Sequence, residues 1–242
     1  MYSMGNVTRN TIAMVLAGGK VERLGQITTN RPKPCVDFGG KYKIIDFVLS
    51  NLFNSGIKKV YVLTQYRAYP LNKHIKEFWS RMVGMGEFFD TISPETNSES
   101  EEWFKGTADA IYQFLRFLES TDADYIAIFG GDHIYKMDVS QMIGYHIMNR
   151  ADITVAALEV TVEDASRFGI FAVDEDFRVT SFEEKPSQPK RIPERETCFA
   201  SMGNYIFSTR KLIEVLKEGK KKHADLDFGK HVIPMMLDNN DR

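Results

Sequence analysis

The sequence Thr11-Ile-Ala-Met-Val-Leu-Ala-Gly-Gly19 is a continuous apolar run that ends at two glycines. An unbroken apolar run is typical of a strand that is covered on both faces of a parallel sheet. Two glycines after such a strand let the backbone approach a bound group closely, and open N–H groups in the turn can hold phosphate oxygens. The motif is neither a dinucleotide fingerprint nor a P-loop, because G-x-G-x-x-G is absent and no G-K-[ST] follows.

Three further apolar runs are separated from this one and from each other by helical patterns. The runs cover residues 59–64, 124–129 and 152–158. Apolar residues recur at helical spacing around Ile45, Ile111, Val139 and Leu212. Gly56 is the expected stop of the first helix and Thr107 the expected N-cap of the second. This alternation predicts an α/β fold, a doubly wound and mostly parallel mixed sheet with helices on both faces.

The later part of the chain has a different pattern. Short strand candidates at residues 171–174, 179–184 and 204–207 are separated by turn residues, and they predict a mixed or antiparallel extension of the sheet. Residues 187–196 are rich in proline and charge and are interpreted as a surface loop. The charge run at 217–223 is interpreted as a solvated helix end rather than an anion site.

The composition limits the classes of function. Of the 242 residues 43% are hydrophobic, and the formal net charge is −2, which gives no reason to expect nucleic acid or an anionic membrane as a partner. The two cysteines, Cys35 and Cys198, have no CxxC neighbour, so no zinc spacing is present. The polar first ten residues are unlike a secretory signal, and no apolar run approaches the ~20 residues of a membrane span. We therefore expect a cytoplasmic protein.

Charged residues near two glycine turns are candidates for phosphate and metal binding. Arg23, Arg31 and Lys33 lie within fifteen residues of the first turn and could offset the charge of a triphosphate, although isolated surface cations would look the same. Asp132 follows the buried run 124–129 at a second Gly-Gly pair, where open α/β sheets place their ligand crevice. A carboxylate beside phosphates requires a divalent metal between them, so Asp132 is either a metal ligand or a turn residue.

The order of many short blocks resembles the bacterial ADP-glucose pyrophosphorylases, from about Thr11 to the end of the chain. The blocks include Arg31-Pro-Lys-Pro34, Phe38-Gly-Gly-Lys41, Asn54-Ser-Gly-Ile57, Thr64-Gln-Tyr66, Gly106-Thr-Ala-Asp-Ala110, Gly131-Asp-His-Ile-Tyr135, Phe168-Gly-Ile170, Glu184-Lys-Pro186, Ala200-Ser-Met-Gly203 and Asp227-Phe-Gly-Lys230. The wider sugar-nucleotide pyrophosphorylases share only part of this set.

The resemblance implies a role for each matched position. Arg23, Lys33 and Asp132 would be catalytic, with Asp132 also binding Mg²⁺. Nucleotide contacts would come from Leu16, Ala17, Gly18, Gly19, Gln65, Phe104, Gly106 and Thr107. The sugar phosphate would contact Gly169, Glu184, Lys185 and Ser201. ATP and glucose 1-phosphate would then react by in-line attack on the α-phosphorus, giving ADP-glucose for glycogen synthesis. Family members are allosteric homo-oligomers, usually tetramers, so effectors and self-association are implied as well.

The departures from the family pattern leave alternatives open. Val21 replaces the usual third glycine of the first turn, Phe104 replaces a tyrosine, and Asn30 replaces the lysine of some activator-responsive relatives. The chain also stops before the expected second acidic metal ligand and β-helix domain, so we expect residues 1–242 to be an incomplete catalytic domain with little turnover. The alternatives are a silent regulatory subunit of the same fold and a transferase that uses UTP or dTTP. A redox dinucleotide-binding protein is disfavoured because the fingerprint is missing.

Overall fold

A mixed β-sheet lies at the centre of the computed structural model, which describes residues 4–18, 32–65, 67–94 and 104–242. Within these residues the strands are β1 (Thr11–Leu16), β2 (Asp37–Phe38), β3 (Tyr42–Lys43), β4 (Lys59–Leu63), β5 (Phe88–Ile92), β6 (Tyr125–Gly130), β7 (Ile153–Thr161), β8 (Gly169–Val173), β9 (Val179–Glu184) and β10 (Thr197–Ser208). The large sheet has the order β5-β4-β1-β6-β10-β8-β9, with β7 also paired to β10, and β2 and β3 form a separate ribbon.

The first half of the sheet is parallel, and its strands β1 and β6 are buried on both faces. Strand β1 lies between β4 and β6, and β5 continues the parallel order beyond β4. Successive side chains of a strand point to opposite faces. Ala13 and Val15 accordingly pack into one hydrophobic core, and Ile12 and Met14 pack into another. The predicted double-faced burial of the first apolar run is confirmed.

Helices cover both faces of the sheet. In the described part of the chain they are α1 (Met4–Arg9), α2 (Ile44–Asn54), α3 (Tyr69–Glu77), α4 (Thr107–Tyr112), α5 (Leu115–Ser120), α6 (Val139–Met148), α7 (Val162–Ala165), α8 (Thr209–Lys222) and α9 (Ile233–Asp238). Helices α2, α3 and α6 supply the core on the Val15 side, and α4, α5, α8 and α9 supply the core on the Met14 side. The α/β fold predicted from strand–helix alternation is therefore present.

The second half of the sheet is antiparallel, as expected for its later strands but not for β7. Strand β10 pairs antiparallel with β6, β7 and β8, and β8 pairs antiparallel with β9. The run at 152–158 was expected to be a parallel strand buried on both faces. It is instead the antiparallel β7, whose side chains are half-buried or exposed. Its Val155 packs against the core on the Met14 side, and Val155 and Ala157 also line an open groove of about 470 Å³, a difference that an apolar run alone does not encode.

The helix expected from Thr107 onward is divided into two short helices. Helix α4 ends at Tyr112 and α5 begins at Leu115, with Phe114 between them. The expected N-cap at Thr107 is also wrong, because Gly106 occupies the cap position and Thr107 is the first helical residue. The Thr107 hydroxyl is engaged elsewhere, since it donates to Asp227 and accepts from the Phe228 N–H.

A buried carboxylate fixes the segment that carries Lys33. Asp46, near the start of α2, accepts hydrogen bonds from the Lys43 N–H and from Trp79 Nε1, each at 2.7 Å, and lies 2.7 Å from His74 Nε2. Burial raises the pKa of Asp46, but the hydrogen bonds with His74, Lys43 and Trp79 lower it by more. The net pKa therefore lies below its usual value. The connection between the 3₁₀ turn Lys33–Cys35 and α2 is thereby held against α3.

Candidate active site

The carboxyl ends of three parallel strands are joined by backbone hydrogen bonds. The Ala17 N–H donates to the Leu63 carbonyl at the end of β4, and the Gly131 N–H donates to the Leu16 carbonyl, each at 2.9 Å. A side chain at Gly131 would lie 3.1 Å from that same carbonyl, so glycine permits the close approach. These strand ends form the crevice in which open α/β sheets bind ligands.

Gly18, the next residue of the first turn, contacts Gln65, which follows β4. A Cβ atom at Gly18 would lie 2.9 Å from the Cβ of Gln65, so a larger residue would displace this side chain. The Gln65 Oε1 atom accepts a hydrogen bond from the Phe104 N–H at 3.1 Å. Gly18, Gln65 and Phe104, all predicted to contact nucleotide, are therefore neighbours. The predicted Gly19 and Arg23 lie outside the described residues.

Lys33 and Asp132 form an ion pair beside this turn. Lys33 Nζ lies 2.9 Å from Asp132 Oδ2, although the two residues are 99 positions apart in sequence. The side chains are partly open, with 28% and 37% of their surfaces exposed, and His133 Nε2 lies 3.4 Å from the other Asp132 oxygen. An exposed pair of this kind contributes little stability, but it presents a cation and a carboxylate together at the end of β6.

The block that contains Gly106 and Thr107 joins the crevice to a turn near residue 226. A Cβ atom at Gly106 would lie only 2.3 Å from the Leu226 carbonyl oxygen, which no side chain allows. The Thr107 hydroxyl donates to Asp227 Oδ2 at 2.9 Å. Gly106 and Thr107, both predicted to contact the nucleotide, therefore also contact the turn at Leu226 and Asp227.

A second group of predicted residues lies at the start of β8 and the end of β9. Gly169 pairs with Glu184 across these strands. Cβ atoms at Gly169 and at Gly229 would lie 2.9 Å and 2.8 Å from Glu184 Oε2, so both glycines leave room for this carboxylate. Lys185 follows with φ 51°, and its N–H donates to Phe168 at 2.9 Å while Nζ lies 3.1 Å from Glu184 Oε1.

A bulge in β10 brings Ser201 to this group. The register of β10 against β7 shifts between Ser201 and Tyr205, and bulges of this kind often redirect side chains near active sites. Gly203, with φ 69°, occupies the bulge and donates its N–H to Ser201 Oγ at 3.1 Å. Burial raises the pKa of Tyr205, a hydrogen bond with Ser201 opposes this, and the charges of Asp227 and Glu184 raise it further. The Tyr205 hydroxyl therefore stays protonated, and the residue lies buried beside Ser201.

Three residues of this arrangement were missed in the sequence. Tyr205 and Asp227 lie near Glu184 and Ser201, since the charges of Asp227 and Glu184 both raise the pKa of Tyr205 and Ser201 is its hydrogen-bond partner. Asn204 is fully buried, and its Oδ1 accepts from the Gly130 N–H at 3.4 Å, which links the bulge to the Asp132 turn. An asparagine inside a strand is an unfavoured choice and was the available signal for a special role.

The described residues offer limited metal-binding capacity by themselves. They contain no cluster of three or more His, Cys, Asp or Glu side chains that could hold a metal ion. Mg²⁺ commonly keeps several waters and binds through one or two carboxylates plus substrate phosphates. The partly open Asp132 carboxylate fits that mode of binding, with phosphate oxygens completing the coordination. No helix in the described ranges is long and apolar enough to cross a membrane.

Comparison with known proteins places these features in a family context. A family model described as nucleotidyl transferase matches residues 12–242. A glucose-1-phosphate adenylyltransferase of Geobacter metallireducens is 77% identical over 242 residues, and one of Trichlorobacter lovleyi is 72% identical over the same length. The enzyme of that name from Thermus thermophilus is 48% identical over 232 residues, which is 93% of this chain and 56% of the relative. The first two matches cover all of this chain but 59% of each relative.

Proposed function

Because the chain belongs to the nucleotidyl transferase family, we propose that it carries the catalytic residues of a glucose-1-phosphate adenylyltransferase. The reaction would join ATP and glucose 1-phosphate to give ADP-glucose and pyrophosphate. The name of its relatives supports this choice of substrates, and the chain spans 59% of the length of the first two. The observation that carries the proposal is the Lys33–Asp132 pair at the end of β6, together with the group around Glu184.

The nucleotide would occupy the crevice at the ends of β1, β4 and β6. Backbone groups near Gly18 would face its phosphates, and Lys33 would offset their charge as the reaction proceeds. Members of this family generally use a divalent metal ion, and we assign Mg²⁺ at Asp132. Such an ion supplies charge stabilisation at the triphosphate when bound. Lys33 would then exchange its contact with Asp132 for one with a phosphate oxygen.

Glucose 1-phosphate would occupy the group around Glu184. The Glu184 carboxylate accepts hydrogen bonds from sugar hydroxyls, Tyr205 and Ser201 supply hydroxyl groups, and Lys185 offers a compact cation to the phosphate. An oxygen of the sugar phosphate attacks the α-phosphorus in line, a P–O bond forms, and the bond to the departing pyrophosphate breaks. The protein contributes positioning and charge stabilisation, and no covalent enzyme intermediate is needed.

The test measures binding and turnover separately. Pyrophosphate release is followed with glucose 1-phosphate, Mg²⁺ and each of ATP, UTP and dTTP, while calorimetry measures the Kd of each nucleotide. Preference for ATP in both measurements supports the proposal. Preference for UTP or dTTP would identify a different sugar nucleotidyltransferase. Binding of both substrates by full-length protein without turnover would identify a silent subunit.

A further inference from the structure

A partly buried ion pair connects helices α4 and α8, with Asp109 buried and the Lys220 side chain 26% exposed. Asp109 in α4 is 2% exposed, and its Oδ1 atom lies 2.5 Å from Nζ of Lys220 in the last turn of α8. The Lys220 ammonium also donates to the Ala224 carbonyl at 2.7 Å and lies 5.5 Å from the centre of the Tyr112 ring. Lys220 therefore makes specific contacts on α4 and on the turn that follows α8.

The second oxygen of Asp109 fixes the segment in front of α4. Asp109 Oδ2 accepts a hydrogen bond from the Lys105 N–H at 2.9 Å. Lys105 stands between Phe104, whose N–H is bound by Gln65, and Gly106. One carboxylate therefore holds both the cation of α8 and the backbone of the loop 104–107, which belongs to the proposed nucleotide side.

The Lys220 ammonium holds a second segment, the turn 224–228 on the proposed sugar side. The turn 224–228 leads from α8 to Asp227 and Gly229, which lie close to Glu184. Lys220 binds the carbonyl at the beginning of this turn, and the Asp109 N–H donates to its Leu226 carbonyl at 2.8 Å. Asp109 and Lys220 thus both contact each other and the turn.

Stability alone does not account for this choice of residues. A buried ion pair is often no better for stability than apolar residues of the same volume, because both charges must be desolvated. Apolar residues would also fill this space, but they could not bind the Lys105 N–H and the Ala224 carbonyl. The ion pair satisfies both backbone groups and fixes the distance between the two segments.

We propose that Asp109 and Lys220 are positioning residues that hold the nucleotide-side loop 104–107 in register with the sugar-side turn 224–228. The proposal rests on the proposed function for the identity of the two substrates. Neither residue is assigned a contact with substrate. Their effect is transmitted through Lys105 and Ala224, so disturbing the pair moves parts of both substrate sites.

The experiment uses three variants and a matched control in the 242-residue chain. Lys220→Met and Asp109→Leu each remove one charge together with its hydrogen bonds, and the double variant removes both, so that no buried charge is left unpaired. The control is Lys217→Met, because Lys217 lies one turn earlier in α8 and forms an exposed pair with Glu119. The double variant and the control are both expected to fold.

Amide hydrogen exchange in the ligand-free protein provides a readout that does not require activity. We expect faster exchange in peptides covering 104–109 and 224–228 in the double variant, and unchanged exchange in the control. Calorimetry should show weaker binding of both magnesium ATP and glucose 1-phosphate, by about tenfold or more, since small displacements of positioned groups have effects of this size.

The outcomes separate this proposal from the proposed function. If wild-type protein binds both substrates, unchanged exchange or unchanged affinity in the double variant overturns the positioning role. If wild-type protein binds neither substrate, the proposed function fails for this chain. In that case amide hydrogen exchange alone tests whether the Asp109–Lys220 pair orders the segments 104–107 and 224–228. Unchanged exchange in the double variant would overturn this ordering role as well.

Discussion

At the scale of single residues, the backbone of Lys185 has a conformation that lysine rarely adopts. Its φ of 51° lies in the left-handed region, and the N–H is held by the Phe168 carbonyl at 2.9 Å. Strained residues of this kind persist where the surrounding structure fixes them, often at functional sites. The side chain is directed beside Glu184 as a result.

We expect Lys185→Ala to weaken the use of glucose 1-phosphate selectively. Losing a charged hydrogen-bond partner of the phosphate should raise KM for this substrate roughly 10- to 100-fold, with a much smaller change for ATP. Steady-state kinetics with each substrate varied in turn measures the difference. Lys190→Ala is the control, because Lys190 is exposed and binds Ser181. An equal rise in both KM values would contradict the assignment.

A second residue affects the pH dependence of stability. His146 is 1% exposed, and its ring nitrogens lie 2.9 Å from Thr154 Oγ1 and 3.1 Å from Ser208 Oγ. Burial lowers the pKa of His146 from 6.5 to about 4, with Asp152 opposing the shift. The folded state thus favours the neutral ring, whereas the unfolded chain takes up a proton below pH 6.5. Stability should therefore fall on acidification from pH 6.5 to about 4, by about 3 kcal/mol in total.

We expect His146→Gln to flatten this part of the stability profile. Glutamine can bond to both hydroxyls but does not titrate, so the contribution between pH 6.5 and about 4 should disappear. Urea unfolding of wild type and variant at several pH values measures it. His133→Gln is the control, since the His133 side chain is 45% exposed. Parallel profiles for wild type and His146→Gln would show that burial of this ring does not control acid stability.

Some residues of the candidate site could be predicted from sequence and others could not. Lys33 and Asp132 were accessible because each stands near a glycine turn at the end of a buried strand, and strand ends meet in a parallel sheet. Tyr205 and Asp227 reach the group around Glu184 through a bulge and a turn, neither of which leaves a regular spacing. Asp109 was not singled out, because the sequence shows only an acidic residue in the first turn of a helix, where carboxylates are common, and not its contact with Lys220.

At the scale of elements, the join between α4 and the turn 224–228 is the tightest glycine contact in the described residues. Asparagine, serine or threonine usually caps a helix, yet Gly106 occupies this position. Its φ is −160°, so the requirement is for space and not for a left-handed backbone. The Leu226 carbonyl fills the volume that a Cβ atom would need. Helical periodicity predicted α4 but gave no sign of this contact.

We expect Gly106→Ala to separate α4 from the turn and to destabilise the protein. A Cβ atom 2.3 Å from the Leu226 oxygen forces backbone movement, and overpacking of this kind costs about 1–3 kcal/mol or more. Chemical denaturation measures the loss. Gly84→Ala is the control, because the nearest atom would be 3.8 Å away, on the Glu87 side chain. Equal stability of the two variants would show that the contact relaxes without cost.

Strand direction marks the limit of the prediction at this scale. Three of the four parallel strands, β1, β4 and β6, were recognisable from unbroken apolar runs, whereas the edge strand β5 contains the exposed Asp90 and was not predicted. Strand β7 carries a similar run but pairs antiparallel to β10 and leaves part of its surface in an open groove. Direction depends on which strand is reached next in space, and polarity patterns do not record it.

At the scale of the whole molecule, the two substrates are proposed to bind different halves of the sheet. The nucleotide side lies at the ends of the parallel strands, and the sugar side lies on the antiparallel strands β8, β9 and β10. Side-chain bridges join the two halves, since Asn204 binds Gly130 and Thr107 binds Asp227. Each substrate should therefore bind to its own half and stabilise the whole fold.

We expect magnesium ATP and glucose 1-phosphate each to raise the Tm, and Asp132→Asn to remove only the first effect. A ligand at 100 times its Kd adds about 2.7 kcal/mol, which corresponds to roughly 5–10 °C for a domain of this size. Asp132 lies on the nucleotide side, so losing its charge weakens metal-dependent ATP binding but leaves the Glu184 group intact. Asp122→Asn is the control, because Asp122 is exposed and precedes the opposite end of β6. Thermal scans with each ligand and variant measure the shifts, and equal loss of both shifts in Asp132→Asn would mean that the halves do not bind separately.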